Sequence, residues 1–268
     1  MTIATWNING MQARLGFVRH WLAARTPDLA LLQELKLPDD RFPHDKFHEA
    51  GYRALAHGQK SWNGVAVLAR EETVRAAEVT CRGLPGLEEQ GARLIGVRAE
   101  VDGIGGLDCV SVYVPNGRTV EHPEFGHKLA FLDGLVSYAE QEVRSDHPLV
   151  IGGDFNLCPA ALDTWDEEAW REKIFHTAEE RERFRALLGL GTVDLFRAVN
   201  PELQQFSWWD YRAGNFHKNL GLRIDFLLAT PPLAERTDAV TIDRDYRKKK
   251  DGMIASDHAP VIAEVRST

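Results

Sequence analysis

The chain has 268 residues, 44% of them hydrophobic, and a net charge of −8. That is enough apolar material for a sizeable core, yet no apolar run approaches the roughly 20 residues needed to span a bilayer. The acidic total points away from a protein coated in cations, although local patches rather than the global sum set phosphate affinity.

Taken in chain order, residues 2–6 alternate as a strand. Leu15, Val18 and Leu22 then mark one face of a helix. The apolar run Leu29–Leu32 reads as a buried strand. Residues 51–57 and 64–69 read as a strand pair, as do 94–101 and 107–114, with Gly103, Gly105 and Gly106 in the second turn. A helix over about 124–144 leads into a strand at 148–152. A long, charged helical stretch is expected over 159–189, followed by strands at 206–210, 223–229, 237–243 and 260–266. Strands outnumber helices, and helices interrupt them in both halves. That pattern suits two packed sheets with helices on the outer faces. No linker or low-complexity segment divides residues 1–268, so a single domain is expected. The N-terminus shows no basic region followed by a long apolar stretch. Cys81, Cys109 and Cys158 have no paired spacing and read as reduced thiols, without a zinc site, in a cytoplasmic protein.

Chemistry concentrates where apolar strands stop. Asp154 and Asn156 follow Pro148–Ile151, two residues apart, so on an extended exit they point the same way. One is charged and can align or deprotonate water; the other can hydrogen-bond an anion without repelling it. Asn7 ends the first strand and Glu34 follows the second, where a carboxylate is costly unless paired or bound to a cation. Its plainer role is an ion pair with Lys36 or another base. Asp257 and His258 precede the last strand, and being adjacent they diverge on extended backbone. Asp225 is the natural carboxylate partner for His258. These groups form a hard-oxygen cluster with one imidazole, which suits Mg²⁺ or Mn²⁺ and phosphate chemistry.

With these strand ends in hand, the whole chain resembles the exonuclease III group of DNA-repair nucleases, within the DNase I-like superfamily of endonucleases, exonucleases and phosphatases. The segments that carry the resemblance are Thr5–Arg14, Leu31–Glu34, His57–Lys60, Tyr113–Gly117, Gly153–Asn156, Phe206–Arg212, Gly221–Asp225 and Ser256–Pro260. The resemblance implies a four-layer α/β/β/α sandwich of two mixed sheets, with the site where the sheets meet at one end. It implies a Mg²⁺-dependent DNA phosphodiesterase, with Mn²⁺ substituting, that cuts at abasic sites or trims 3′ ends of double-stranded DNA, as a monomer. Glu34 becomes the principal metal ligand, with Asn7 and Asp257 in support. Tyr113, Asp154, Asn156, Asp225 and His258 become the catalytic set. Asn9, Arg14, Asn116 and Lys128 contact the nucleic acid, while Trp208, Leu222 and Ile224 line a pocket for an extruded sugar. Further phosphate contacts are open to Lys60, Arg118, Arg212, Lys218 and Arg223; Arg247–Lys250 reads as a solvated loop. Two rivals remain at this stage. One keeps the fold and takes a non-nucleic-acid phosphate ester; the other is a non-catalytic nucleic-acid binder.

Overall fold

The computed structural model describes residues 1–267. In chain order the elements are β1 (Thr2–Asn7), α1 (Met11–Arg25), β2 (Leu29–Gln33), α2 (His44–His48), β3 (Tyr52–His57), β4 (Val65–Arg70), β5 (Val74–Arg82), β6 (Leu94–Val101), β7 (Gly105–Tyr113) and α3 (Pro123–Glu142). The second half runs β8 (Leu149–Asp154), α4 (Glu167–Trp170), α5 (Ala178–Gly189), β9 (Val193–Asp194), α6 (Leu195–Val199), α7 (Asn215–Lys218), β10 (Asp225–Ala229), α8 (Pro231–Ala234), β11 (Thr237–Ile242) and β12 (Val261–Val265). They build two six-stranded sheets, ordered β11-β12-β1-β2-β4-β3 and β5-β6-β7-β8-β10-β9. Each is mixed: β1–β2 and β7–β8 are parallel, and the other pairings are antiparallel.

Period-two alternation assigns every central side chain to a layer. Ile3, Leu29, Leu31, Val97, Cys109, Val150 and Leu227 point between the sheets and share one core. Their neighbours Ala4, Trp6 and Leu32 point outward to Phe17, Val18, Trp21 and Leu22 of α1. On the other outer face Val110, Ile151 and Leu228 meet Phe131 and Leu135 of α3 and Phe184 and Leu187 of α5. Those contacts give the expected α/β/β/α layering.

Toward one end the inner layer turns polar. The Gln33 amide donates to Ser111 Oγ at 3.0 Å across the two sheets, and Ser111 Oγ donates to the Leu32 carbonyl at 3.0 Å. Gly152 lets the sheets close in at this level, since a Cβ there would sit 2.5 Å from Leu31 Cδ1. Beyond this polar rung the strands end.

Three sequence expectations change. Residues 159–189 are not one helix: a short 3-10 turn, α4 and α5 are separated by loops, and Asp163, Thr164 and Phe175–Thr177 are buried between them. Asp166 and Thr177 cap α4 and α5, so the chain restarts its helices there. Residues 206–210 form no strand; Trp208 makes only isolated bridges to Leu222 and to His258. β5 was missed because its exposed positions carry Arg, Ala, Glu and Thr and its buried side shows no clear apolar stripe, as befits an edge strand. Among the described residues no helix is long and apolar enough to cross a membrane.

Candidate active site

Register brings the polar strand ends together. Asp154 ends β8, facing Tyr113 of β7 in parallel register and Asp225 of β10 in antiparallel register. Asn7 ends β1 opposite Gln33 of β2, and Glu34 is the next residue. Asn7, Tyr113, Asp154 and Asp225 continue the inward-facing alternation; Glu34 falls just past the end of β2 in a left-handed conformation, and the Asn7 amide ties it to Asp154.

The local backbone is strained there. Asn9, Glu34, Lys36 and Asn156 all have left-handed φ, between 49° and 56°. Asparagine tolerates that region, but glutamate and lysine seldom adopt it. Such outliers persist where the surroundings over-determine them, and they cluster at functional sites.

The hydrogen bonds are specific. The Asn7 amide nitrogen donates to Glu34 Oε1 at 2.8 Å and to Asp154 Oδ2 at 2.9 Å, bridging the sheets. Asp154 Oδ1 accepts the Asn156 backbone N–H at 2.9 Å, and the Asn156 amide donates to the Val114 carbonyl at 3.0 Å. His258 Nδ1 lies 2.9 Å from Asp225 Oδ2, while its Nε2 is 3.8 Å from Asp154 Oδ2. Ser207 Oγ donates to Asp225 Oδ2 at 2.6 Å and accepts the Ile224 and Asp225 backbone N–H groups. Lys36 Nζ pairs with Glu34 Oε2 at 2.7 Å and donates to Asn9 Oδ1 at 2.6 Å. The ion pair with Lys36, the plain reading of Glu34, is therefore present, while His258 faces Asp225 and Asp154.

Burial raises Asp154 most, with help from the charges of Asp225 and Glu34, and carries it up to about 7 against the pull of His258. Burial alone would lower His258. The charges of Asp225 and Asp154, and the bond to Asp225, overcome it and carry the ring up to about 10. The imidazolium is thus the charged form at neutral pH and acts as a donor. Burial, Glu34 and Asp154 push the Tyr113 phenol well above its ordinary value, so it too remains a donor. Arg93 stacks over the Tyr113 ring with its guanidinium 5.0 Å from the centroid.

The remaining site residues separate into groups. Ligand atoms of Glu34, Asp154 and His258 lie within 4.8 Å of one another, close enough to hold a metal ion. Asp257 lies aside: Oδ1 accepts the Asn9 amide at 2.8 Å and Oδ2 accepts Trp208 Nε1 at 3.0 Å. It ties the loop after β1 to the Trp208 segment. Burial works against that carboxylate, but the His258 charge and those two bonds hold it below the usual carboxylate range. Arg14 reaches the Asn9 carbonyl and the Tyr211 hydroxyl, and Asn116 is exposed. Trp209 is fully buried while Trp208 is half-exposed, as alternation requires of a tandem pair.

Two expectations need correction. Lys128 contacts no solvent; it pairs with Glu180, also buried, and its Nζ donates to the Asn156 carbonyl at 2.6 Å and the Asn116 carbonyl at 3.2 Å. It fixes those loops from behind rather than touching substrate. Leu222 and Ile224 are 1% and 2% exposed and pack with Cys158 and Phe175 beneath Trp208, so they back that side chain and line no open pocket. Arg223 leaves the list of cations free for phosphate, and Arg247, expected in a solvated loop, is buried. Arg223 is clamped between Asp163 and Asp194, and Arg247 donates to the Trp209 and Asp257 carbonyls. Ser207 and Arg93 were missed. A serine next to a tandem tryptophan and an arginine one position before a strand carry no local signal of their role.

A sandwich of two mixed sheets that closes acid, amide and imidazole groups over one strand-end cleft is the architecture of a phosphoester-cleaving fold. Residues 4–258 match the sequence profile of the Endonuclease/Exonuclease/phosphatase family, and the chain belongs to that family. It is 35% identical over 275 residues to the exodeoxyribonuclease III of Haemophilus influenzae, covering 99% of this chain and 100% of that one. A 3′ phosphatase, NExo, from Neisseria, solved with a product DNA hairpin, is 37% identical with a TM-score of 0.89 and 99% coverage of both chains. An AP endonuclease from Archaeoglobus fulgidus is 32% identical, also with a TM-score of 0.89 and 99% coverage of both chains.

Proposed function

We propose that this hydrolytic nuclease of DNA repair is a Mg²⁺-dependent phosphodiesterase that acts on double-stranded DNA at abasic sites and at 3′ ends, with residues 1–268 forming one catalytic domain. The carrying observation is the cluster of Glu34, Asp154 and His258 within 4.8 Å, backed by Asp225. Buried carboxylates with so few cations to offset them suit a hard divalent ion, and their oxygens are the donors Mg²⁺ prefers. Glu34 would hold that ion with Asp154 beside it; a bound ion supplies charge neutralisation at the phosphate.

The chain's own groups then divide the work. Asp154, as the carboxylate, accepts a proton from the attacking water, which displaces the leaving oxygen in line. Asn7 and Asn156 hold Asp154 in place. His258, charged and braced by Asp225, donates to a phosphate oxygen as negative charge builds, and the neutral Tyr113 phenol donates to another. Names of the relatives support both diester cleavage and removal of a 3′ phosphate, which this constellation serves equally. The test uses three labelled duplexes, with an internal abasic analogue, a recessed 3′ hydroxyl and a 3′ phosphate. Cleavage of at least one with Mg²⁺, and none with chelator, is expected. Turnover of an inositol phosphate with all three duplexes intact would move the protein to the other branch of the superfamily.

A further inference from the structure

His176 is 4% exposed, and neither of its ring nitrogens has a hydrogen-bond partner. Buried polar groups in folded proteins are nearly always paired, so an unpaired one calls for a reason. The chemistry at the strand ends makes no use of this ring. It stacks on Trp170 at the end of α4, with centroids 5.3 Å apart and planes 22° from parallel, and it directly precedes Thr177, the cap of α5.

The charged groups around it are engaged elsewhere. Glu167 of α4 pairs with Arg181 of α5 at 2.8 Å, and the buried Glu180 of α5 pairs with Lys128 of α3. Arg171 pairs with Glu168, while Glu172 and Arg185 are exposed. No carboxylate bonds the ring. Burial lowers His176 most and Arg181 adds to that; the Ile174 carbonyl, Glu167 and Glu180 pull the other way without overcoming it. A neutral imidazole carries one N–H, whereas the imidazolium carries two and a charge. This site offers neither a second acceptor nor a free counter-ion, so it suits the neutral ring alone.

The segment around His176 supports the cleft. Ile174 and Phe175 pack with Cys158, Leu222, Ile224 and Trp208, and the Phe175 carbonyl accepts the Cys158 N–H at 2.8 Å. Ile174 also abuts the loop that carries Asn116, since a Cβ at Gly117 would come 2.9 Å from Ile174 Cδ1.

We infer that His176 is an acid-sensitive latch on residues 167–177. Neutral, it stacks on Trp170 and keeps Ile174 and Phe175 seated beneath Trp208; protonated, it leaves its site and the segment opens away from the cleft. The sign follows from linkage. A ring that takes up its proton more readily when released stabilises the closed segment fully above about pH 6.5, and that stability is lost as pH falls through the lower value of the closed state. The opening stands on this geometry; its consequence for catalysis rests on the nuclease reading above.

The experiment measures hydrogen exchange, corrected for the intrinsic rate at each pH, from about pH 8 to about pH 5 on wild type, His176→Phe and His176→Gln, both variants being neutral at that position throughout. In wild type, protection of peptides spanning residues 167–177 is expected to fall by up to about tenfold per pH unit once the buried histidine titrates, while β1 and β8 stay protected. Phenylalanine, which keeps the stack on Trp170, and glutamine should hold that protection flat. On a labelled DNA duplex His176→Phe should match wild type in mild alkali and outlast it on acidification; Asp154 titrates in both and cancels from the comparison. The same acid-dependent loss in the variants, or unchanged protection in wild type down to about pH 5, would overturn the latch. So would a loss spread evenly over the whole chain, which is global unfolding. A wild-type protein whose segment opens but which is inert on DNA at every pH would support the latch and remove the nuclease reading instead.

Discussion

Glu34 sits in a left-handed backbone conformation that a glutamate seldom adopts, with its carboxylate shared between Asn7 and Lys36. Glu34→Ala should therefore lose nearly all activity at low Mg²⁺ and regain part of it at high Mg²⁺ or Mn²⁺; a metal dependence identical to wild type would take Glu34 out of the metal site. Asp154→Asn keeps the shape and removes the charge. A loss of about 10²–10⁴-fold in kcat follows from removing one general base, and near wild-type turnover would exclude Asp154 from the chemistry. The same variant reads out the buried charge. The folded pKa of Asp154, about 7, lies above the unfolded value of about 3.9. A raised pKa contributes stability that is fully present below the unfolded value and lost as pH rises through the folded one. In chelator, the melting temperature of Asp154→Asn relative to wild type should thus climb between about pH 4 and pH 7 and level off above. A difference that stays flat across that window would show that the buried carboxylate carries no such burden.

At the scale of elements, the loops that hold the site depend on contacts made behind it. Lys128 on α3 and Glu180 on α5 pair at zero exposure, and Glu180 also accepts the Phe175 and Thr177 backbone N–H groups. Lys128→Met would leave Glu180 a buried, partly unpaired charge, at a cost of about 3–5 kcal/mol. A domain of this size shifts by about 2–4 °C per kcal/mol, so calorimetry should show a clear fall, and adding Glu180→Gln should recover part of it. If Lys128 instead touched DNA, affinity would drop with melting unchanged. Element boundaries show why such contacts escape a reading of the chain. Phe206–Asp210 has the alternation of a strand, yet Trp208 exchanges both backbone bonds with Leu222, while Trp209 N–H reaches Asp257 and Ala259 N–H reaches Ser207. The segment straps two loops together instead of joining a sheet. The run 159–189 is rich in helix formers but is interrupted where Asp163 turns inward to Arg223 and Arg197, a pairing whose worth depends on residues far along the chain.

At the scale of the whole molecule, an acidic protein must bind an anion through a local field. Phosphate contacts release counterions with a slope of about −0.9 per contact. With the buried cations excluded, Lys60, Arg118, Arg212 and Lys218, together with the cleft beside Lys36, leave about three to five contacts. DNA affinity should then fall with log salt at a slope of about −3 to −5; a flat profile would argue for a different substrate class. The sequence by itself determined the period-two strands, the acids and amides at their ends, and hence the kind of chemistry, because alternation and strand termination are written in neighbouring residues. It also placed Trp208 and Trp209 on opposite sides. Only the tertiary structure decided which charges face substrate and which face one another. Lys128 and Arg223 look like phosphate ligands in the chain, and Arg247 like part of a solvated loop, yet all three are structural ties in the fold. The reason is physical: burial and pairing of a charge are set by groups dozens of residues away, brought near by the register of two sheets, and no window of sequence contains them.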